Sequence, residues 1–208
     1  MTDIKIAFTP KIQSPYDLHK PYELQLKPGY TALVGPNGAG KTTLLHLIQQ
    51  HASKAGYETI LYDNQRHGGS NAISQYINGN NTKMAATALC SSEGEQIAIN
   101  FGQKVQAIGQ AVRKAVETDT PLFILLDSLD SGASIDRTRE LLNLFDIIGK
   151  EAGVRQDKAE HAIYIIAAVN NYELARRNCM DPRTGKNLTF TDYDNYADFI
   201  CKYFEKYE

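Results

Sequence analysis

The sequence has little of what marks a membrane, secreted or disordered chain. No apolar run approaches the roughly 20 residues that cross a bilayer as a helix. The longest runs, residues 121–126 and 163–169, have the length of buried strands. Only three cysteines occur, Cys90, Cys179 and Cys201, and none belongs to a CxxC pair. Neither a disulfide framework nor a zinc knuckle is therefore expected, and a reducing cytoplasm is the expected compartment. No charge of one sign dominates: 22 basic residues against 24 acidic ones leave a net charge of −2. That balance excludes a basic nucleic-acid arm, though not a local basic patch. The opening residues, MTDIKIAF, lack the apolar stretch of a signal peptide. Internal repeats and low-complexity segments are also missing. What is present is an ordinary globular composition, 42% hydrophobic and 22% charged over 208 residues. Such a chain makes one domain with a substantial core.

Periodicity divides the chain into alternating strands and helices. Residues 4–8 (IKIAF) and 22–26 (YELQL) alternate apolar with polar side chains and predict two half-buried strands. Residues 30–34 (YTALV) predict a short strand that ends at glycine. Residues 42–53 carry leucines and an isoleucine at helical spacing, and residues 57–62 (YETILY) predict another strand. Between them and residue 91 lie polar, turn-rich loops. A long amphipathic helix is expected over 93–116, with Gly102 and Gly109 weakening its middle. Residues 122–126 and 162–169 are continuously apolar, hence fully buried strands, with a helix over 134–150 between them. The tail from residue 192 carries an aromatic stripe at helical spacing, best packed on the core. The expected fold is α/β: a mostly parallel sheet with an antiparallel N-terminal flank.

Residues 35–42 read GPNGAGKT and satisfy GxxxxGK[ST] in full. Gly35, Gly38 and Gly40 allow the backbone to aim successive N–H groups into one concavity. The helix that follows adds the positive end of its dipole. Lys41 is placed to reach β- and γ-phosphates, and the Thr42 hydroxyl to reach Mg²⁺. Asn37 and Thr43 complete the nucleotide-binding set. A phosphate loop also needs an acid at the end of a neighbouring buried strand, and Asp127 follows residues 122–126 in that way. Residues 91–96 (SSEGEQ) open the long helix. Ser92, Gly94 and Glu95 there read either as a second anion site or as a plain capping box with Ser92 as N-cap.

Taken in order, GPNGAGKTT, SSEGEQ and FILLDSLDSGASID resemble the ATPase domain of the ABC superfamily, over roughly residues 3–178. Glu95 at the end of the signature makes the chain similar to the soluble SMC/RecF-like branch. The resemblance implies a core over 1–178 and a C-terminal extension over 179–208. It implies ATP and Mg²⁺ as ligands, and a homodimer in which one subunit's phosphate loop and the other's signature enclose each ATP. Gln65 matches the family's glutamine loop, which approaches Mg²⁺ and the attacking water. Tyr16, Tyr22 and Tyr30 are candidates for the aromatic that stacks the base, and the residues do not choose among them.

The departures from the family are as informative. Where the family has a water-polarising glutamate after Asp127, this chain has Ser128, and a hydroxyl is a poor base near neutral pH. Asp130 is the nearest substitute. The family's switch histidine is replaced by Asn170, which donates a hydrogen bond but carries no charge. The loop that meets the partner subunit ends in Ser134 instead of aspartate. Only residues 66–90 separate Gln65 from Ser91, so no coiled-coil arm is present. Arg176, Arg177, Arg183 and Lys186 form a basic cluster, read as a solvated face with a phosphate-backbone contact as the minor alternative. The expectation is an ATP-dependent homodimerising switch with slow or impaired hydrolysis. It would act on a nuclease or other effector, or on DNA, in genome maintenance or phage–host conflict, without membrane insertion. A transporter ATPase subunit and a nucleotide-locked scaffold are the alternatives.

Overall fold

The computed structural model describes residues 4–8, 22–63, 93–130, 134–153 and 160–189. Strands β1 (Ile4–Phe8) and β2 (Tyr22–Leu26) pair antiparallel as a separate two-stranded ribbon. The main sheet takes β3 (Gly29–Val34), β4 (Glu58–Asp63), β5 (Leu122–Asp127), β6 (Ile163–Val169), β7 (Cys179–Met180) and β8 (Asn187–Leu188) in the order β4-β5-β6-β3-β7-β8. Its pairings are parallel except for the terminal β7–β8 hairpin. The helices are α1 (Lys41–Lys54), α2 (Glu93–Thr118), α3 (Ile135–Glu151) and the single turn α4 (Tyr172–Ala175). The expected α/β architecture with an antiparallel flank is what the chain adopts. Gly102 and Gly109 do not interrupt α2.

β5 and β6 are buried at every position, which is why their sequence is continuously apolar rather than alternating. Alternate residues of the strands feed two cores, one on each face of the sheet. On one face Ile124, Leu126, Ile165 and Ala167 meet Ile108, Val112 and Ala115 of α2 and Leu141, Phe145 and Ile148 of α3. On the other, Phe123, Leu125, Tyr164 and Ile166 meet Leu44, Leu45 and Ile48 of α1, with Ile6, Leu24 and Leu26 of the ribbon closing the layer. The β1–β2 ribbon thus covers the α1 side, and its Tyr22 hydroxyl ties it to the Pro182 carbonyl of the β7–β8 hairpin.

The structure differs from the sequence reading at the C-terminal boundary. Residues 179–188, assigned there to an extension, form β7 and β8, and β7 pairs with the phosphate-loop strand β3. The aromatic tail from residue 192 lies outside the described residues. Among the described residues no helix is long and apolar enough to cross a membrane.

Candidate functional site

The site grows from the C-terminal ends of adjacent strands. β3 ends at Val34, and residues 35–40 turn directly into α1. Gly38 and Gly40 adopt φ of +85° and +89°, a region that a side chain makes costly. Gly40 is the N-cap of α1, so no side chain caps the helix, and no acid stands in its first turn. The first-turn amides and the positive helix end therefore face an anion without a built-in competitor. Ala39 N donates to Pro36 O at 3.1 Å and Leu44 N to Gly40 O at 2.8 Å, which holds the loop's curl. Gly35 is buried, whereas Asn37, Thr42 and Thr43 are exposed.

Lys41 is half-buried and folds back over the loop. Its Nζ donates to Gly35 O, to Pro36 O at 3.2 Å and to Asn170 Oδ1 at 3.1 Å. Burial pushes its pKa down, while the charges of Asp130 and Asp127 push it up and place both carboxylates within its electrostatic reach. The phosphate loop, the Asp127–Asp130 segment and the end of β6 are thus brought together, as the motif order implied.

Asp127 closes β5 and is buried. Ser128 follows with φ +54°, an uncommon backbone for a non-glycine residue. Its Oγ donates to Asp127 Oδ1 at 3.2 Å, so the hydroxyl is turned onto the neighbouring carboxylate. Asp130 has a different task. Its Oδ2 accepts from Asn170 N and Asn171 N, both at 2.6 Å, and so clamps the end of β6. Its Oδ1 is buried with no hydrogen-bond partner. Burial is the largest influence on Asp130 and raises its pKa, opposed by those backbone hydrogen bonds and by Lys41. Asn171 caps α4 by accepting from Glu173 N at 2.8 Å, and its Nδ2 donates to Thr138 Oγ1 at 3.3 Å. Thr138 Oγ1 in turn donates to Ser134 O at 3.1 Å. A continuous chain of contacts therefore runs from Asp130 through Asn171 and Thr138 to the start of α3.

These contacts bear on several sequence expectations. Ser134 is the N-cap of α3, its Oγ accepting from Arg137 N at 3.2 Å. The position where the family ends its loop in aspartate is occupied here by a helix cap. Tyr30 stacks on Phe145 at 4.7 Å and donates its hydroxyl to Leu174 O, so it is a core residue and not a base-stacking platform. Tyr22 is committed to the Pro182 carbonyl. The basic cluster is largely paired: Arg176 with Glu173, Arg177 with Asp146, and Arg183 with Asp181 at 3.5 Å. Gln65, Ser92 and Tyr16 lie outside the described residues. Gly94 and Glu95 fall in the first turn of α2, which begins at Glu93.

The sequence reading missed Asp63. It ends β4 in register with Asp127 on β5, and it is 6% exposed where Asp127 is 7% exposed. Its signal was available: residues 60–63 read ILYD and residues 124–127 read ILLD, the same apolar run ending in the same acid.

Mg²⁺ with a nucleotide triphosphate fits these groups. The donor set is two buried carboxylates and a threonine hydroxyl beside a glycine loop, an all-oxygen set suited to a hard cation. The unpaired Asp130 Oδ1 is a further acceptor in the same neighbourhood. A protein-family model described as ABC transporter matches residues 19–160, more than half of the chain. No curated protein matches.

Proposed function

Because this chain belongs to the ABC transporter family, whose shared property is an ATP-binding P-loop domain, we propose that it is an ATP-dependent homodimerising switch of the SMC/RecF-like class with slow hydrolysis. The observation that carries this reading is the state of the two residues nearest to a catalytic base. Ser128 offers a hydroxyl, and that hydroxyl is donated to Asp127. Asp130 offers a carboxylate, and its Oδ2 is engaged by two backbone amides. The Ser128 hydroxyl is thus engaged, and the one Asp130 oxygen left without a partner, Oδ1, is buried away from water.

The phosphate-loop half of the apparatus keeps its groups by contrast. The amides of the loop and first turn of α1 would receive the phosphates, and Lys41 would exchange its loop carbonyls for phosphate oxygens. Thr42 and Asp127 would hold Mg²⁺, which when bound offsets phosphate charge and polarises the γ-phosphoryl group. Asn170 already reaches Lys41 and would report the γ-phosphate through a neutral amide rather than through a titrating ring. The chain of contacts from Asp130 through Asn171 and Thr138 to Ser134 carries that report to the loop expected at the subunit interface. Ile135, next to that loop, is 89% exposed, an apolar side chain that a second copy would cover.

The biological setting that the SMC/RecF-like motifs support is genome maintenance or phage–host conflict, with a nuclease, another effector or DNA as the recipient of the signal. The family match is equally consistent with an ATPase subunit of a transporter. Steady-state phosphate release by the wild type and by Ser128→Glu, with Asp127→Asn as the inactive control, tests the proposal. A positioned base contributes about 10²- to 10⁴-fold in rate. The wild type should therefore turn over slowly, and the glutamate variant should be faster. Fast wild-type release that depends on Asp130 would move the base role to Asp130 and overturn the proposal.

A further inference from the structure

We propose that the groove between α2 and α3 is the docking site of this chain's own aromatic segment, residues 192–208, which lies across the two helices as a strap. The groove has a volume of about 260 Å³. That is less than the roughly 300–1,000 Å³ of a small-molecule site, so protruding side chains suit it better than a ligand. Val105, Ile108 and Val112 of α2 and Leu144, Ile147 and Ile148 of α3 give it apolar walls. Ile147 is 57% exposed, so the groove is open to whatever covers it. Gly109 opens the α2 wall further. Glycine inside a helix costs about 0.5–1 kcal/mol against alanine. A Cβ at Gly109 would meet only Arg113 Nη2, at 3.8 Å, so nothing among the described residues demands a glycine there. An occupant pressed close to the helix does.

The path of the chain and the charges beside the groove identify the occupant. β7 runs parallel to β3 and β8 antiparallel to β7, so β8 carries the chain away from the phosphate-loop end of the sheet. α2 and α3 each return the chain to the start of a parallel strand, so their later turns, which line the groove, lie toward that same far end. Leu188, the last residue of β8, packs against the core that α2 and α3 share, which puts the exit on their face of the sheet. Three or four strand spacings of about 4.8 Å separate β8 from the strands beneath the groove, roughly 15–20 Å. Residues 192–208 wound as a helix span about 25 Å. Arg113 of α2 and Glu151 of α3 flank the groove from opposite walls, and neither forms an ion pair among the described residues. At 3.6 residues per turn, Tyr193, Tyr196, Ile200 and Tyr203 share one stripe. Asp194, Asp198 and Glu205 follow along one flank of it, and Lys202 and Lys206 along the other. The stripe thus matches the apolar walls and its two flanks match the two charges. α2 carries Gly94 and Glu95 in its first turn, and α3 starts at the Ser134 cap. The strap therefore couples the two helices that present the groups expected at the subunit interface.

The chain has no tryptophan, so Tyr203→Trp places a single fluorescent reporter in the stripe of the full chain. Acrylamide quenching of that reporter is measured in buffer and in urea, alone and combined with Ile147→Lys or Gly109→Leu. The first puts a charge on the groove wall and the second fills the groove. The reporter should be shielded in buffer, with emission at shorter wavelength than in urea and the same shielding at every protein concentration. Each groove variant should raise the quenching constant toward its urea value. A reporter in buffer as accessible as in urea would overturn the proposal. So would shielding that neither groove variant changes, because the segment would then pack elsewhere. Shielding that grows with protein concentration would assign the groove to the segment of a second copy and overturn the strap within one chain. Far-UV circular dichroism and thermal unfolding check that the variants fold, and if one does not, the other decides.

Discussion

Asp130 concentrates the conflict at this site, since one half-buried carboxylate must both clamp β6 and tolerate low solvation. Its pKa is raised from the usual 3.8 chiefly by burial. A carboxyl group whose folded pKa exceeds its unfolded value favours the fold most when protonated, at pH below about 3.8, and loses that contribution as pH rises through the raised value. Asp130→Asn keeps an acceptor for the Asn170 and Asn171 amides and removes the charge. Relative to wild type, the variant should gain stability as pH climbs from below 3.8 through that window, then hold the gain. Urea unfolding at a series of pH values reads this directly, and a gap that shrinks with rising pH would show that the clamp needs a charged acceptor. Lys41 makes the complementary case. Its contacts are to loop carbonyls and Asn170, and it lies outside both cores. Lys41→Ala should abolish ATP binding while the thermal unfolding midpoint shifts little. Normal ATP binding by this variant would contradict the assignment of the phosphate loop.

The elements that carry the site were largely legible because each is either strictly periodic or continuously apolar. β5 and β6 announced themselves as buried strands, and α1 and α3 by leucines at helical spacing, with boundaries that moved by a residue or two. β7 and β8 were not legible, since two residues each carry no period, and only pairing with β3 and with one another makes them strands. The four-residue α4 is invisible for the same reason. The Asp130–Asn171–Thr138–Ser134 contacts join positions far apart in the chain, so no local pattern encodes them. Ser134 shows how an element's own needs displace a family residue: its side chain starts α3. Ser134→Ala should cost about 1 kcal/mol of stability by loss of the cap, measured by urea unfolding. A variant as stable as wild type would mean that the hydroxyl serves the loop and not the helix.

At the scale of the whole molecule, the sheet holds every candidate group along one edge: Asp63, Asp127, Asn170 and the phosphate loop end β4, β5, β6 and β3 in spatial order. Such an edge offers one nucleotide a phosphate loop, while Ser128 and Asp130 are engaged with their own neighbours. The account therefore places the missing half of the site on a second copy, whose approach would cover the exposed Ile135. Ile135→Arg should leave ATP binding by the monomer intact and prevent ATP-driven association, as seen by sedimentation velocity. Association unaffected by the arginine would place the interface elsewhere. The central claim is a nucleotide-held dimer that outlives the usual catalytic cycle. Its most direct test is molar mass by light scattering, with and without Mg-ATP, recorded alongside phosphate release from the same sample. The account predicts a monomer that doubles in mass on addition of Mg-ATP and stays doubled while little phosphate appears. A mass that does not change with Mg-ATP, or a dimer that dissolves as phosphate is rapidly released, would contradict it.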